Sequence, residues 1–247
     1  SSFTGSLTSD AVKGTFHDGN KSALRPYLRA STDPESANII NFIRGDNISG
    51  YRTRIYPTGG SNTWKLGDII YAAPTLVPGP REDIDGIYGD STYAAFYQQY
   101  KNRRQMLYVG ANDGMLHVFN AGIFTNTSDW NADGTPDPHF ENGNGCPTAG
   151  ASNVLGCEMW AFVPRELLPH LKWLTDVNYT HVYYVDLKPK ITDVRIFDSE
   201  FNNPSGTHPY GWGTILIGGM RFGGKDICVT DSAWGGTGER TFKSSYF

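Results

Sequence analysis

Met106-Leu107-Tyr108-Val109-Gly110, then Asn112-Asp113-Gly114, then Met115-Leu116-His117-Val118-Phe119-Asn120: this stretch decides the fold. Two apolar runs of strand length flank an Asp-Gly pair. Asp-Gly supplies the positive-φ positions that a tight hairpin needs. A strand enters at 106–110 and returns at 115–120.

On both sides of this hairpin the pattern stays β. Leu66-Gly67-Asp68-Ile69-Ile70 leads into Ala73-Pro74-Thr75-Leu76-Val77, a short strand closed by Pro78-Gly79-Pro80. Asp83 to Arg104 is a Tyr-rich polar insertion, with one or two helical turns expected over Tyr93 to Tyr100. Beyond the return strand a long polar loop runs from Ala121 to Gly156, and Glu158 to Pro164 reads as another strand. The same order then recurs: Pro189 to Val194, Thr214 to Gly219, Gly223-Gly224 in place of the Asp-Gly turn, and Asp226 to Asp231. A Pro-led strand, a strand ending in Gly, a Gly turn and a return strand make the layout of one propeller blade. Two copies spaced far beyond the usual ~40–50 residues imply blades with large loop insertions. A β-sandwich is the bland alternative.

The expected fold is therefore mainly β: a β-propeller of at least two blades, part of a larger ring, with long insertions and a few short helices. Residues 1–60 form an N-terminal loop and helix segment, and 61–247 carry the blades, about 66–165 for the first and about 183–247 for an incomplete second. In the N-terminal segment, Ala37, Ile39, Ile40 and Ile43 share one helical face after the capping start Asp33-Pro34, and this helix ends near Gly45.

The 247 residues include 29 Gly and 14 Pro, which fits many turns, and a formal net charge of −4 without a basic stripe gives no footing for nucleic acid. No apolar run is long enough to span a membrane. The chain opens on Ser1 without an initiator Met and reads as a fragment or processed form. Cys146 and Cys157 bracket a Gly/Asn/Ser-rich stretch that a disulfide between them would staple, the alternative being two free thiols. Cys228 lies in an apolar run and reads as a core thiol.

The sharpest chemical signal is Asp129-Trp130-Asn131-Ala132-Asp133-Gly134-Thr135-Pro136-Asp137. Side-chain oxygens at Asp129, Asn131, Asp133 and Asp137, with the carbonyl of Thr135, alternate as a calcium loop requires, and Gly134 allows the tight turn. Phe140 stands where an EF-hand has its bidentate Glu, and no helical pattern flanks the loop, so Ca2+ is expected in a free-standing loop between strands; a solvated acidic turn is the alternative. Arg44-Gly45-Asp46 has the form of an adhesion triplet, but its place at a helix end favours Gly45 as a cap. His117 reads as a packed, hydrogen-bonded strand residue, and five tryptophans (Trp64, Trp160, Trp173, Trp212, Trp234) as packing between blades. No residue pattern identifies a catalytic site, so no enzyme activity is expected.

Several of these stretches together resemble the PilC/PilY family of type IV pilus tip proteins: Ile43-Arg44-Gly45-Asp46, Tyr51-Arg52-Thr53-Arg54, Leu66 to Ile70 with Ala73-Pro74, Leu107 to His117, Trp160 to Pro164, Leu174 to Tyr179, Tyr184-Val185-Asp186 and Leu216 to Gly224, in that order. The resemblance implies an exported propeller at the pilus tip and cell surface. It implies promotion of pilus assembly or opposition to retraction, and surface adhesion, with calcium as modulator. Its implied partners are minor pilins, the pilus tip complex, and a host or abiotic surface. Lys225 to Asp231 departs from the family's usual pattern. A quinone-dependent dehydrogenase propeller is the enzyme alternative, but Phe119-Asn120-Ala121-Gly122 lacks the Thr-Gly of its docking repeat. A purely structural filament component is the other.

Overall fold

The computed structural model describes residues 16–55, 63–127, 129, 133–136, 138–141, 155–224, 227–230 and 239–242. Its fold is mainly β, with antiparallel sheets and a few short helices. The first sheet is built from β1 (Thr75–Val77), β2 (Gln105–Gly110), β3 (Leu116–Thr125) and β5 (Glu158–Phe162), paired antiparallel in that order. Leu107 lies opposite Leu76 on one side and Phe119 on the other, and Val118 lies opposite Trp160. This is the expected meander. The outer half of β3 runs past β5 and pairs instead with β4 (His139–Glu141), so that strand serves two partners along one edge.

The second repeat differs from expectation. β6 (Lys190–Arg195) and β7 (Trp212–Ile217) pair as predicted, with Ile191 opposite Leu216. The next strand, β8 (Ile227–Thr230), pairs with β9 (Glu239–Phe242), and no β7–β8 pairing occurs among the described residues. Gly223-Gly224 does not make a hairpin: it falls in a 3-10 turn over Arg221–Gly224. The physical reason is close packing. A Cβ on Gly223 would meet the Tyr184 carbonyl oxygen at 2.0 Å, so this glycine lets two backbones touch. The described strands form no closed ring.

Among the described residues are four α-helices, α1 (Lys21–Leu24), α2 (Asp33–Ile43), α3 (Ile84–Tyr88) and α4 (Ser91–Tyr100). Thr32 caps α2 by accepting from the Glu35 N–H at 3.2 Å, and the Glu35 carboxylate accepts in return from the Ser31 N–H at 2.7 Å. The helix stops at Gly45, with φ +111° and its N–H on the Phe42 carbonyl, while the Asp46 N–H reaches Asn41.

The main core lies at the turn end of the first sheet. Ile39, Ile40, Phe42 and Ile43 of α2 meet Met115 and Leu116, and the far wall is a 3-10 segment over Arg165–Thr175 that brings in Leu167, Leu168, Leu171 and Leu174. Each such buried aliphatic side chain contributes about 1.5–3 kcal/mol. That segment was not foreseen, although its leucines recur at helical spacing; Pro169 inside it obscures the pattern. A second core joins Tyr93 and Phe96 of α4 to Trp212 of β7, where the Trp212 indole N–H donates to Thr92 Oγ1 at 2.9 Å. The insertion between β1 and β2 thus docks on the second sheet. Trp160 packs edge-on to Tyr108 within the first sheet and not between two sheets, Trp64 and Trp173 are half exposed, and Trp234 lies outside the described residues.

Gly67 is another close backbone approach in this architecture. A Cβ there would stand 2.5 Å from the Asp113 amide nitrogen, a backbone atom that cannot step aside. Gly67→Ala is therefore expected to lower unfolding free energy by about 1–3 kcal/mol, read from urea denaturation.

Candidate functional site

Asn112-Asp113-Gly114 turns the chain as expected, with φ +93° at Gly114 and the Ala111 N–H on the Met115 carbonyl at 3.0 Å. Its side chains do more than turn. The Asp113 carboxylate accepts from the Met115 N–H at 3.1 Å and from the Gly67 N–H at 2.7 Å. Asn112 donates to Asp68 Oδ2 at 3.0 Å, and its Oδ1 accepts from the Tyr184 N–H at 2.9 Å. Both residues are buried. The corner therefore stitches the 67–68 segment and the 184 segment to the first sheet.

His117 sits beside it on β3, 4% exposed, between two carboxylates: Asp113 at 3.0 Å from Nε2 and Glu158 at 2.6 Å from Nδ1. Burial alone would lower its pKa. The hydrogen bonds to Asp113 and Glu158 and their charges outweigh that and raise it to about 9. Both ring nitrogens then donate, and the imidazolium has no lone pair for base chemistry. The reading of His117 as a structural residue agrees with this geometry. His181 reaches the same network from outside, with Nε2 at 2.9 Å from Asp68 Oδ2.

The acidic loop hangs from the outer half of β3. Asp129 accepts from the Asp133 N–H at 3.1 Å and the Gly134 N–H at 2.6 Å, and Asp133 Oδ1 accepts from the Thr135 N–H at 2.9 Å. Gly134 has φ +92°, the conformation its place in the pattern requires. The turn folds its carboxylates inward over its own amides, which is compatible with a cation loop. Asn131 and Asp137 lie outside the described residues, and no group of three or more acidic, His or Cys side chains placed to hold a metal occurs among the described ones. Cys157 is disulfide-bonded, and its expected partner Cys146 lies outside the described residues. Arg44-Gly45-Asp46 forms the C-terminal cap of α2: Arg44 donates to the Phe16 carbonyl at 3.3 Å, and the Lys65 side chain covers Gly45.

One cluster had no sequence signal. Tyr71, Tyr183 and Phe222 group with ring centroids 5.5–6.2 Å apart, and the Arg221 guanidinium lies 3.7 Å from the Tyr71 ring centre. Arg221 holds φ +49°, which few non-glycine residues adopt. Its members come from three distant segments, so no spacing reveals them.

Fold and site define an antiparallel β-sheet module whose turn corner is structural. Comparison with known proteins gives the family. The chain is 33% identical over 225 residues to the type IV pilus biogenesis factor PilY1 homolog of Xylella fastidiosa, covering 88% of this chain and 14% of that protein. It is 28% identical over 207 residues to type IV pilus biogenesis factor PilY1 of Pseudomonas aeruginosa strain UCBPP-PA14, covering 81% of this chain and 13% of that one. Over most of its length, then, this chain belongs with the PilY1-type type IV pilus factors. It spans about one seventh of the length of the Xylella relative. No protein-family model matches the chain, and no solved structure matches it.

The paired imidazolium has a pH signature. A folded-state pKa near 9 against an ordinary 6.5 means that the stabilisation is complete below pH 6.5 and is lost as pH rises through 9. Urea midpoints of the wild-type chain should fall across that window. His117→Gln should flatten the slope and, at the acid end, cost about 2 kcal/mol.

Proposed function

We propose that this chain is a propeller segment of a type IV pilus biogenesis factor that acts at the pilus tip. In this reading the segment promotes pilus assembly, opposes retraction and takes part in surface attachment, with minor pilins and the tip complex as partners. The observation that carries it is the 33% identity over 225 residues to a PilY1 homolog, which runs through both strand repeats rather than through one motif. The four-stranded antiparallel meander supports the propeller, because it is the unit from which such rings are made. Deleting the gene that encodes the chain should reduce surface pili and attachment, and complementation should restore both. Normal piliation and attachment in the deletion strain would reject this role.

Calcium is part of the proposal. The ligands are Asp129, Asn131, Asp133 and Asp137 with the Thr135 carbonyl, and the ion would neutralise three carboxylates within one short loop. What supports it is the spacing, together with the inward fold of Asp129 and Asp133 around Gly134. Titrating Ca2+ into metal-free protein by calorimetry should give a saturable isotherm that Asp133→Ala abolishes. An isotherm unchanged by the substitution would exclude this loop as the site.

A further inference from the structure

Between the first sheet and the β6–β7 sheet lies a cavity of about 170 Å³. Its walls are apolar: Met106 of β2, Ile191 of β6, and Ile215 and Leu216 of β7. Two adjacent arginines just before β2, Arg103 and Arg104, also line it. Arg103 is anchored through Nε to the Pro78 carbonyl at 2.8 Å. Arg104 Nε is buried with no hydrogen-bond acceptor among the described residues, and its guanidinium otherwise meets the Met159 sulfur at 3.8 Å, a weak acceptor. Neither arginine forms a salt bridge among the described residues.

The nearby carboxylate is committed elsewhere. Asp193, which acts electrostatically on Arg103, accepts from the Tyr93 hydroxyl at 2.8 Å, the Thr214 hydroxyl at 2.6 Å and the Arg81 N–H at 3.4 Å. It holds α4 to the second sheet, and no hydrogen bond or salt bridge joins it to Arg104 among the described residues. A buried guanidinium N–H without an acceptor is costly, and such groups are rare without a partner to meet them.

We propose that this inter-sheet cavity binds a compact carboxylate bearing a short alkyl stem. The carboxylate pairs with the Arg104 fork, the planar arrangement that suits two carboxylate oxygens at once. The stem lies against Met106, Ile215 and Leu216. A cavity of about 170 Å³ has room for a ligand of the size of propionate. The same chemistry is offered by a free short-chain acid and by a terminal or side-chain carboxylate of a polypeptide. The proposal is independent of the acidic loop and of any role at the pilus.

The test uses the whole chain labelled with 15N, reading the Arg104 Nε–H resonance and backbone amides of β2 and β7 by NMR at constant ionic strength. Propionate should shift them saturably in the millimolar range, while propionamide, of the same shape without the charge, should not. Arg104→Gln should weaken propionate binding by about tenfold or more, the equivalent of one charge-assisted pair. Should that variant fail to fold, Arg104→Lys keeps the charge without the fork and should bind several-fold more weakly. A short peptide with a free C-terminus, compared with its amide, separates the two sources: tighter binding than propionate assigns the cavity to a polypeptide, equal or weaker binding to a free acid. No saturable shift, an equal response to propionamide, or affinity unchanged in the folded Arg104 variant would overturn the proposal.

Discussion

The structure depends on a polar turn that is buried. Asn112 and Asp113 are 3% and 7% exposed, yet neither is idle. Between them they satisfy the backbone N–H groups of Gly67, Met115 and Tyr184 and meet the side chains of Asp68 and His117. A buried amide left without a partner costs more than a single hydrogen bond contributes, so this corner fixes where two separate segments, at 67–68 and at 184, meet the first sheet. Shape enforces the same choice. Gly67 presses on the Asp113 backbone and Gly110 on the Val185 carbonyl, at separations that admit no side chain. The motif is therefore a junction as well as a hairpin.

A second junction explains how the two sheets are held together. The chain leaving β1 does not return directly to β2. It passes through α3 and α4, and α4 lays Tyr93 and Phe96 on Trp212 while the Tyr93 hydroxyl reaches the Asp193 carboxylate of β6. Burial, with the Asp193 hydrogen bond adding to it, pushes the Tyr93 pKa up, so the phenol stays protonated and remains the donor. The insertion thus straps the second sheet to the first, and Arg103 and Arg104 at its end are carried to the seam between them. A blade-by-blade description would miss this strap, because its contacts cross from one sheet to the other.

Much of this was legible from the residues. The hairpin at Asn112-Asp113-Gly114, the meander from β1 to β5, the α2 helix with its Gly45 stop and the pairing of β6 with β7 all follow from local rules: period, turn chemistry and caps. What escaped is non-local. Nothing near His117 in sequence announces Glu158, and nothing near Asp68 announces His181. The Arg221 stack on Tyr71 joins positions 150 residues apart in the chain. The second repeat misled for the same reason. Gly223-Gly224 has turn composition, but Gly223 serves a close approach to Tyr184, a demand set by packing and invisible to a turn rule. The leucines of the 165–175 segment were readable and were masked by Pro169, which a 3-10 turn tolerates better than an α-helix interior does.

The acidic loop is separated from all of this by a clamp. At the root of the long excursion between β3 and β5, the Asn120 N–H donates to the Cys157 carbonyl at 2.9 Å, and the Gly156 N–H donates to the Asn120 carbonyl at 2.8 Å. The Asn120 side chain, buried, accepts from the Gly122 N–H at 2.9 Å. The two ends of the excursion are thus held at a fixed separation by the sheet itself. Once the ends are fixed, the closure entropy of the loop changes only slowly with its length, so residues beyond the clamp can be added or rearranged at small cost to the sheet. The clamp therefore separates the segment that carries Asp129 and Asp133 from the Asn112–Asp113 junction.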